Sequence, residues 1–140
     1  MRVVDASVVV KWHIAEETEV EAAHELLRTN VHFAVPDLLF AETATVVWKN
    51  VRRGLISPAR AMQIIDSIVA GPFDVYGNQG LVRDALHIAI SREVTPYDAS
   101  YIALAMSLRT DCVTADRKLF SKLRGSPFGK HVTLLADYTN

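Results

Sequence analysis

Four acidic side chains stand where carboxylates could do chemistry: Asp5, Glu42, Asp98 and Asp116. Asp5 and Asp116 directly follow predicted strands, Asp98 lies in the first turn of a predicted helix, and Glu42 belongs to a long apolar helix. Two carboxylates about 4 Å apart repel each other by about 4 kcal/mol at an effective dielectric constant near 20. If these four acids converge, they therefore need a cation. Because all the ligand atoms would be oxygens, we predict a site for Mg²⁺ or Mn²⁺.

Each of these acids also has a purely structural interpretation. Asp5 and Asp116 precede helices, so either could simply cap a helix N-terminus. Thr95 stands three residues before Asp98, which is the spacing of a capping box. Glu42 could lie at the rim of an apolar helix face, because an unpaired carboxylate is costly to bury. These interpretations stay open, and only convergence of the four acids favours a metal site.

Two further observations limit which residues and which metal could form the site. Asp111 is predicted at the far end of the fourth strand from Asp116, so its side chain should face away from the other acids. The five histidines are scattered, and no cysteine–histidine spacing is typical of a zinc site. We therefore do not expect zinc.

The composition bounds the kind of protein. The 140 residues fit one domain, half of them are hydrophobic, and the formal net charge is −1. This balance excludes a polycation and a disordered acidic chain. The single cysteine, Cys112, is predicted in a buried strand and cannot form an internal disulfide. With no targeting segment or membrane span expected, we predict a soluble, cytoplasmic protein.

Short strands and helices are predicted to alternate along the chain. Strands are expected near 1–5, 32–36, 73–76, 111–115 and 131–135. Helices are expected from Ser7, over 18–29, 37–53 and 57–70, after Gly77-Asn78, from Thr95-Pro96 and after Asp116. The alternation predicts an α/β fold with a parallel sheet between helices. In such a sheet ligands bind beyond the carboxyl ends of the strands, where Asp5 and Asp116 are predicted.

The predicted helix after Gly77-Asn78 carries apolar side chains on one face. After Gly77-Asn78, the side chains of Val82, Leu86, Ala89 and Ile90 share one face.

Four short motifs contain the acids, and together they resemble the motifs of PIN-domain nucleases. They are VVDAS at 3–7, FAE at 40–42, YDASYIALA at 97–105 and TADRKL at 114–119. Chain length and motif order are similar to those of the VapC-type toxins of prokaryotic toxin–antitoxin pairs. The resemblance covers essentially the whole chain, and the segment 97–105 is its most specific part.

This resemblance implies a fold, an activity and partners. The fold is a three-layer α/β/α sandwich with a short central parallel sheet, formed by one domain over 1–140. The activity is Mg²⁺- or Mn²⁺-dependent endoribonuclease cleavage, with a homodimer and a cognate antitoxin as expected assemblies. The resemblance assigns the catalytic metal site to Asp5, Glu42, Asp98 and Asp116. It also suggests hydroxyls near the substrate at Ser7 and Thr114.

Basic residues could attract RNA despite the near-neutral total charge. The segment 117–130 contains five cations and no acid, and three more close the helix that bears Glu42. Such residues give salt-sensitive phosphate contacts, although solvated helix faces are an equally good interpretation. Lys11, one turn beyond Ser7, and Arg117, next to Asp116, are the candidates nearest the acids. The two clusters are Arg117, Lys118, Lys122, Arg124 and Lys130, and Lys49, Arg52 and Arg53.

Two other classes of function remain as alternatives. A haloacid-dehalogenase-like phosphatase would use a strand-end aspartate as nucleophile, but it usually has a second acid where this chain has Ser7. A phospho-receiver-like or metal-stabilised protein-binding module would lack nuclease activity. A receiver needs a second acid beside Asp5 and a lysine at a late strand end, whereas Lys118 is predicted inside a helix.

Overall fold

The computed structural model describes residues 1–15 and 18–138, in which short strands alternate with helices. The strands are β1 (Arg2–Val4), β2 (Phe33–Pro36), β3 (Phe73–Tyr76), β4 (Cys112–Thr114) and β5 (Val132–Leu134). The helices are α1 (Ala6–Val9), α2 (Val20–Arg28), α3 (Leu39–Arg52), α4 (Pro58–Val69), α5 (Val82–Arg92), α6 (Pro96–Ser107) and α7 (Arg117–Leu123). Short 3₁₀ turns cover Val10–Trp12, Asn78–Gly80, Gly129–His131 and Leu135–Asp137.

The five strands form one parallel sheet in the order β3-β2-β1-β4-β5. In the centre of the sheet, Val3 pairs with Ala34 on one side and with Cys112 on the other. The central strands are apolar and almost wholly buried, as expected for parallel strands covered on both faces. The α/β class with helices around a short parallel sheet is therefore confirmed. Because every strand runs the same way, the carboxyl ends of β1 and β4 meet at one edge.

Helix α6 forms the centre of the helical packing. Its residues from Ala99 to Ala105 are all buried, because α6 contacts β1, β2 and β4 on one side and α5 on another. A helix that is apolar all round is stable only when it is covered in this way. Thr95 caps its first turn and Pro96 follows, as the sequence predicts. The first turn of α6, which carries Asp98, is thereby fixed relative to the sheet.

Helix α3 begins at Leu39 and ends where the sequence predicts. Gly54 follows the C-cap residue Arg53 and has φ +72, a left-handed conformation that glycine adopts without steric cost. The site-bearing acid Glu42 lies in the first turn of this helix. The length of α3 therefore places Glu42 at one end and the basic residues Lys49 and Arg52 at the other.

The packing face of α5 is not the apolar face that the sequence shows. Val82, Leu86 and Ile90 are 51%, 52% and 73% exposed, whereas Ala85, Ile88 and Ala89 are buried. Small side chains at 85 and 89 allow α5 to approach α6 closely, and this packing selects the buried face. An apolar stripe, Val82, Leu86 and Ile90, is left on the surface.

Among the described residues, none of the helices combines the length and the apolar character that a membrane crossing requires.

Candidate active site

Asp5 is the buried acid at the carboxyl edge of the sheet. It follows β1 directly, and its side chain is the N-cap of α1, accepting a hydrogen bond from the Val8 backbone N–H at 3.3 Å. The residue is only 6% exposed. The capping interpretation of Asp5 is therefore correct, but it does not account for the hydroxyls that surround the same carboxylate.

Two hydroxyls hold the carboxylate of Asp5. Ser7 Oγ donates to Asp5 Oδ1 at 2.5 Å, and Thr114 Oγ1 donates to Asp5 Oδ2 at 2.5 Å. Each hydroxyl oxygen also accepts a backbone N–H, from Ala115 at 2.9 Å for Ser7 and from Asp116 at 3.0 Å for Thr114. Because those N–H groups occupy the hydroxyl oxygens, the hydroxyl protons are directed towards Asp5. The carboxylate is thus locked between β1 and β4.

Asp116 and Asp98 lie at two helix N-termini next to this edge. Asp116 caps α7 by accepting the Leu119 N–H at 3.0 Å, and it follows β4 by two residues. The Asp98 backbone N–H donates to Thr95 Oγ1 at 3.1 Å, so the predicted Thr95 cap is present. Both acids are half-buried. Asp116 therefore combines a capping role with access to solvent, and Asp98 lies in the first turn of α6 with similar access.

Glu42 is held by a tyrosine that the sequence analysis missed. Tyr101 Oη donates to Glu42 Oε1 at 2.7 Å, and Tyr101 is 1% exposed. A buried tyrosine hydroxyl in an aliphatic helix needs a partner, and Tyr101 lies three residues after Asp98, on the same side of α6. A tyrosine in an apolar helix, on the same side as Asp98, could therefore have indicated from the sequence that its hydroxyl has a partner near the acids. It links α6 to α3 across 59 residues of sequence.

The four acids are electrostatically coupled, and Asp98 links them. Burial raises the pKa of Asp5 to about 6, although hydrogen bonds from Ser7 and Thr114 oppose the rise, and the charge of Asp98 raises it further. Burial also raises the pKa of Glu42, with Asp98 adding to the effect and Tyr101 opposing it. These shifts indicate a group of like charges that lie near one another.

Asp98 itself is the most strongly connected member of the group. Burial raises its pKa, the charge of Asp116 raises it further, and Thr95 and the charge of Lys122 oppose the rise. The Lys122 ammonium donates to the Glu93 carbonyl at 2.6 Å, so it is fixed near this edge. One lysine therefore compensates part of the charge of Asp98.

The donor chemistry fits a hard divalent ion, but the acids do not form a complete cage. Within residues 1–15 and 18–138, no three His, Cys, Asp or Glu side chains are placed to hold one ion together. Mg²⁺ is usually bound by one or two carboxylates, with waters and substrate phosphates supplying the other oxygens. The arrangement therefore fits Mg²⁺-like binding, in which substrate completes the coordination, better than an all-protein site.

The other residues singled out from the sequence occupy varied positions. Lys11 is buried in the 3₁₀ turn after α1. Arg117 forms an ion pair with Glu19 at 2.9 Å, which the sequence did not indicate. Asp111 lies at the opposite edge of the sheet, as the sequence predicts. There it forms an ion pair with Arg2 at 3.3 Å.

A groove opens beside Glu42 on the solvent side. It has a volume of about 470 Å³, and Tyr97, 66% exposed, forms part of its wall. A basic pocket of about 340 Å³ adjoins the groove through Lys49, which lines both. In this pocket the Arg52 guanidinium lies 4.9 Å from the centre of the Trp48 ring. Glu42 therefore lines a concave surface that continues into cations and exposed aromatic rings.

Both the sequence and the fold of this chain match known proteins. A family model described as PIN domain matches residues 2–125. This chain belongs to the PIN domain family.

Particular relatives agree with this assignment. The chain is 31% identical over 122 residues to Ribonuclease VapC3 of Pyrobaculum aerophilum, covering 86% of this chain and 92% of the relative. The crystal structure of PAE2754 from Pyrobaculum aerophilum matches with a TM-score of 0.70 and 27% identity, over 96% of this chain and 83% of that one. A toxin–antitoxin complex from Klebsiella pneumoniae matches in fold with a TM-score of 0.63 and 15% identity, over 96% and 98%.

The raised pKa of Asp5 predicts a pH-dependent stability. A folded pKa of about 6, against about 3.9 unfolded, gives stability that is present at pH 4 and lost as the pH rises through 6. Asp5→Asn removes this titration. In chelator, we expect its free energy of unfolding relative to the parent to increase by about 2 kcal/mol between pH 4 and pH 8, measured by urea denaturation. The exposed Asp66→Asn should show no such trend, and a pH-independent difference for Asp5→Asn would contradict the shift.

The Tyr101–Glu42 hydrogen bond predicts a measurable effect of one hydroxyl. Tyr101→Phe keeps the ring but removes the donor to Glu42, so we expect a loss of about 1 kcal/mol in unfolding free energy at pH 7.5. Tyr76→Phe is the matched control, because the Tyr76 hydroxyl makes no hydrogen bond among the described residues, and its effect should stay within about 0.5 kcal/mol. A Tyr101→Phe protein as stable as the parent would show that the contact contributes nothing.

Proposed function

We propose that this chain is a divalent-metal-dependent endoribonuclease and the toxin of a toxin–antitoxin pair, with 1–140 as one nuclease domain. The observation that carries the proposal is the locked, buried carboxylate of Asp5 beside three coupled acids at one sheet edge. The relative named Ribonuclease VapC3 supports RNA as the substrate. Mg²⁺ or Mn²⁺ is the proposed cofactor, because the candidate ligands are carboxylate oxygens.

Asp5, Asp98 and Asp116 are the proposed metal ligands, with Glu42 at or near the metal. When bound there, such an ion supplies Lewis-acid stabilisation of phosphate charge and lowers the pKa of bound water. The chain itself contributes rigidity, because the hydroxyls of Ser7 and Thr114 leave the carboxylate of Asp5 little freedom to rotate. A preorganised carboxylate needs less reorganisation when charge develops on the phosphate.

Glu42 is the proposed general base. Its Oε1 accepts the Tyr101 hydroxyl, which leaves Oε2 to accept a proton from an attacking water. Burial and the charge of Asp98 raise the pKa of Glu42, and this makes its carboxylate a stronger base than an ordinary glutamate. Tyr101 therefore acts as a positioning residue through Glu42.

The groove beside Glu42 is the proposed path of the RNA strand. Lys49, Arg52 and Arg53 could contact phosphates, while Tyr97 and Trp48 present exposed rings on which bases can stack. From residue 42 to residue 53, α3 rises by about 16 Å, which is enough for a few nucleotides. Lys11 and Arg117 remain proposals as substrate-side residues, and the Arg117–Glu19 ion pair would have to open for a phosphate.

A homodimer is proposed to form through the apolar stripe of α5. Val82, Leu86 and Ile90 are exposed at intervals of four residues, which makes a continuous apolar ridge on one helix face. A second copy could cover this ridge by a two-fold, self-complementary contact. A monomer in sedimentation experiments at micromolar concentration would contradict this proposal.

A cognate antitoxin is the second proposed partner. The Klebsiella pneumoniae protein of similar fold was solved as a toxin–antitoxin complex. Here a largely apolar cleft of about 160 Å³, lined by Trp12, Leu27, Phe33, Ile68 and Phe73 among others, could receive an apolar peptide. We place the pair in the cytoplasm, because the one cysteine of the chain is free and buried. Failure of the product of a neighbouring reading frame to bind the chain would contradict the pairing.

The alternative functions are less well supported by the same geometry. Both carboxylate oxygens of Asp5 accept hydroxyl protons and the residue is buried, so Asp5 is a poor nucleophile for a phosphatase. A receiver-like site needs a lysine at a late strand end, whereas Lys118 lies inside α7. Tight partner binding without any RNA cleavage would favour a non-enzymatic module.

The central role of Asp98 predicts a loss of activity without unfolding. Asp98→Asn keeps the size of the side chain and the Thr95 cap but removes the charge that couples to the other acids. We expect RNA cleavage to fall at least about a hundredfold, to the level seen with chelator, while the far-UV circular dichroism and melting temperature stay near those of the parent. Asp66→Asn, an exposed change of the same chemistry, should cleave normally with Mn²⁺ or Mg²⁺. A fully active or chelator-resistant Asp98→Asn protein would refute the proposal.

A further inference from the structure

A second concave surface lies at the opposite edge of the sheet from the acids. It has a volume of about 620 Å³, and its walls include Arg2, Arg109, Lys130 and His131. Arg2 begins β1, Lys130 and His131 precede β5 and Arg109 follows α6. Asp5 and Asp116, in contrast, follow β1 and β4 at the other edge. With strands of three residues, about 10 Å of sheet separates the two surfaces. This amino-edge pocket is therefore not part of the acidic site.

The pocket carries an excess of positive charge. Three permanent cations, Arg2, Arg109 and Lys130, face a single carboxylate, Asp111. Both oxygens of Asp111 are already engaged, Oδ1 by Arg2 Nε at 3.3 Å and Oδ2 by the Thr133 hydroxyl at 2.5 Å. In the part of the chain that the structure describes, Arg109 and Lys130 make no ion pair or side-chain hydrogen bond. Their charges are available to a ligand.

Arg2 supplies an independent sign that an acceptor is missing. Its guanidinium lies 4.8 Å from the centre of the Tyr138 ring, and its Nε is paired with Asp111. Its Nη1 is buried but has no hydrogen-bond partner among residues 1–15 and 18–138. An unsatisfied buried donor on a charged group is unfavourable, and an anionic oxygen is the acceptor that best satisfies it. The orphaned nitrogen and the excess charge point to the same kind of ligand.

His131 and Thr110 add polar groups to the same wall. His131 Nδ1 is 2.8 Å from the Thr110 carbonyl oxygen, so a ring proton on Nδ1 donates to that carbonyl. The contact fixes the orientation of the imidazole. The forked donors of arginine, the point charge of lysine and an oriented imidazole suit the several oxygens of a phosphate group.

We propose that the amino-edge pocket binds a phosphate group, carried by a free nucleotide or by an RNA strand, on Arg2, Arg109 and Lys130. The inference goes beyond the nuclease site, because none of its residues contacts the acids. Binding of a phosphate within an RNA strand rests on the proposed nuclease function, whereas binding of a free nucleotide does not. The competing explanation is that Arg109 and Lys130 merely offset the negative end of the α6 helix dipole, in which case no ligand binds.

The test uses the full chain, labelled with ¹⁵N, in EDTA so that divalent ions bridge no phosphate to the acids and no RNA is cleaved. Inorganic phosphate, AMP and a short single-stranded RNA are titrated separately at constant ionic strength. We expect saturable shifts of the Thr110 and His131 amide resonances. Arg109→Asn should weaken binding about tenfold, the loss expected for one charge-assisted contact. Arg83→Asn, an exposed arginine on α5, is the matched control and should bind like the parent.

The variant is chosen to separate binding from folding. Arg109 has φ +55, a left-handed conformation that asparagine adopts more easily than arginine, so Arg109→Asn should melt no lower than the parent. Saturation by phosphate and AMP would assign the pocket to free phosphate ligands, and a response to RNA alone would assign it to a strand. Shifts that do not saturate, or that are equal in Arg109→Asn and the parent, would overturn the proposal. Because no cleavage is measured, that result would leave the nuclease proposal untouched.

Discussion

The burial of negative charge at the carboxyl edge of the sheet is the constraint on which the rest of the structure depends. The sequence places Asp5 in a buried position where its negative charge is disfavoured, with Asp98 and its neighbours adding to the effect. The hydroxyls of Ser7 and Thr114 donate hydrogen bonds to the carboxylate of Asp5 and are themselves held by backbone N–H groups. These contacts orient the carboxylate but leave its pKa raised, and a divalent ion is the natural partner for such a group.

The parallel sheet is what allows acids far apart in the chain to share one edge. β1 and β4 are neighbours, so Asp5 and Asp116 lie at the same edge of the sheet although they are 111 positions apart in the sequence. α6 packs across the same strands and brings Asp98, while the Tyr101 hydroxyl joins α6 to Glu42 on α3. Asp5 and Asp116 therefore cap helices and also belong to the proposed site, because a helix N-terminus next to a strand end can serve both purposes.

Local patterns were enough to predict the elements, the parallel sheet and the positions of Asp5, Asp98, Asp116 and Asp111. Strand ends, the Thr95-Pro96 start and the Gly54 stop depend on neighbouring residues only. Contacts between distant segments were not accessible in this way: the Tyr101–Glu42 bond and the Arg117–Glu19 pair each join separate elements. The exposure of the apolar stripe of α5 could not be predicted from the sequence either. Packing against α6 buries the face with small side chains rather than the most apolar face.

The central claim is that these acids share a divalent ion, and anomalous diffraction from crystals soaked in Mn²⁺ tests it most directly. The account predicts a manganese peak within about 2–2.5 Å of oxygen atoms from at least two of the four acids, lost in crystals of Asp98→Asn. A protein that cleaves RNA while its Mn²⁺ binds elsewhere, or nowhere on the chain, would contradict it.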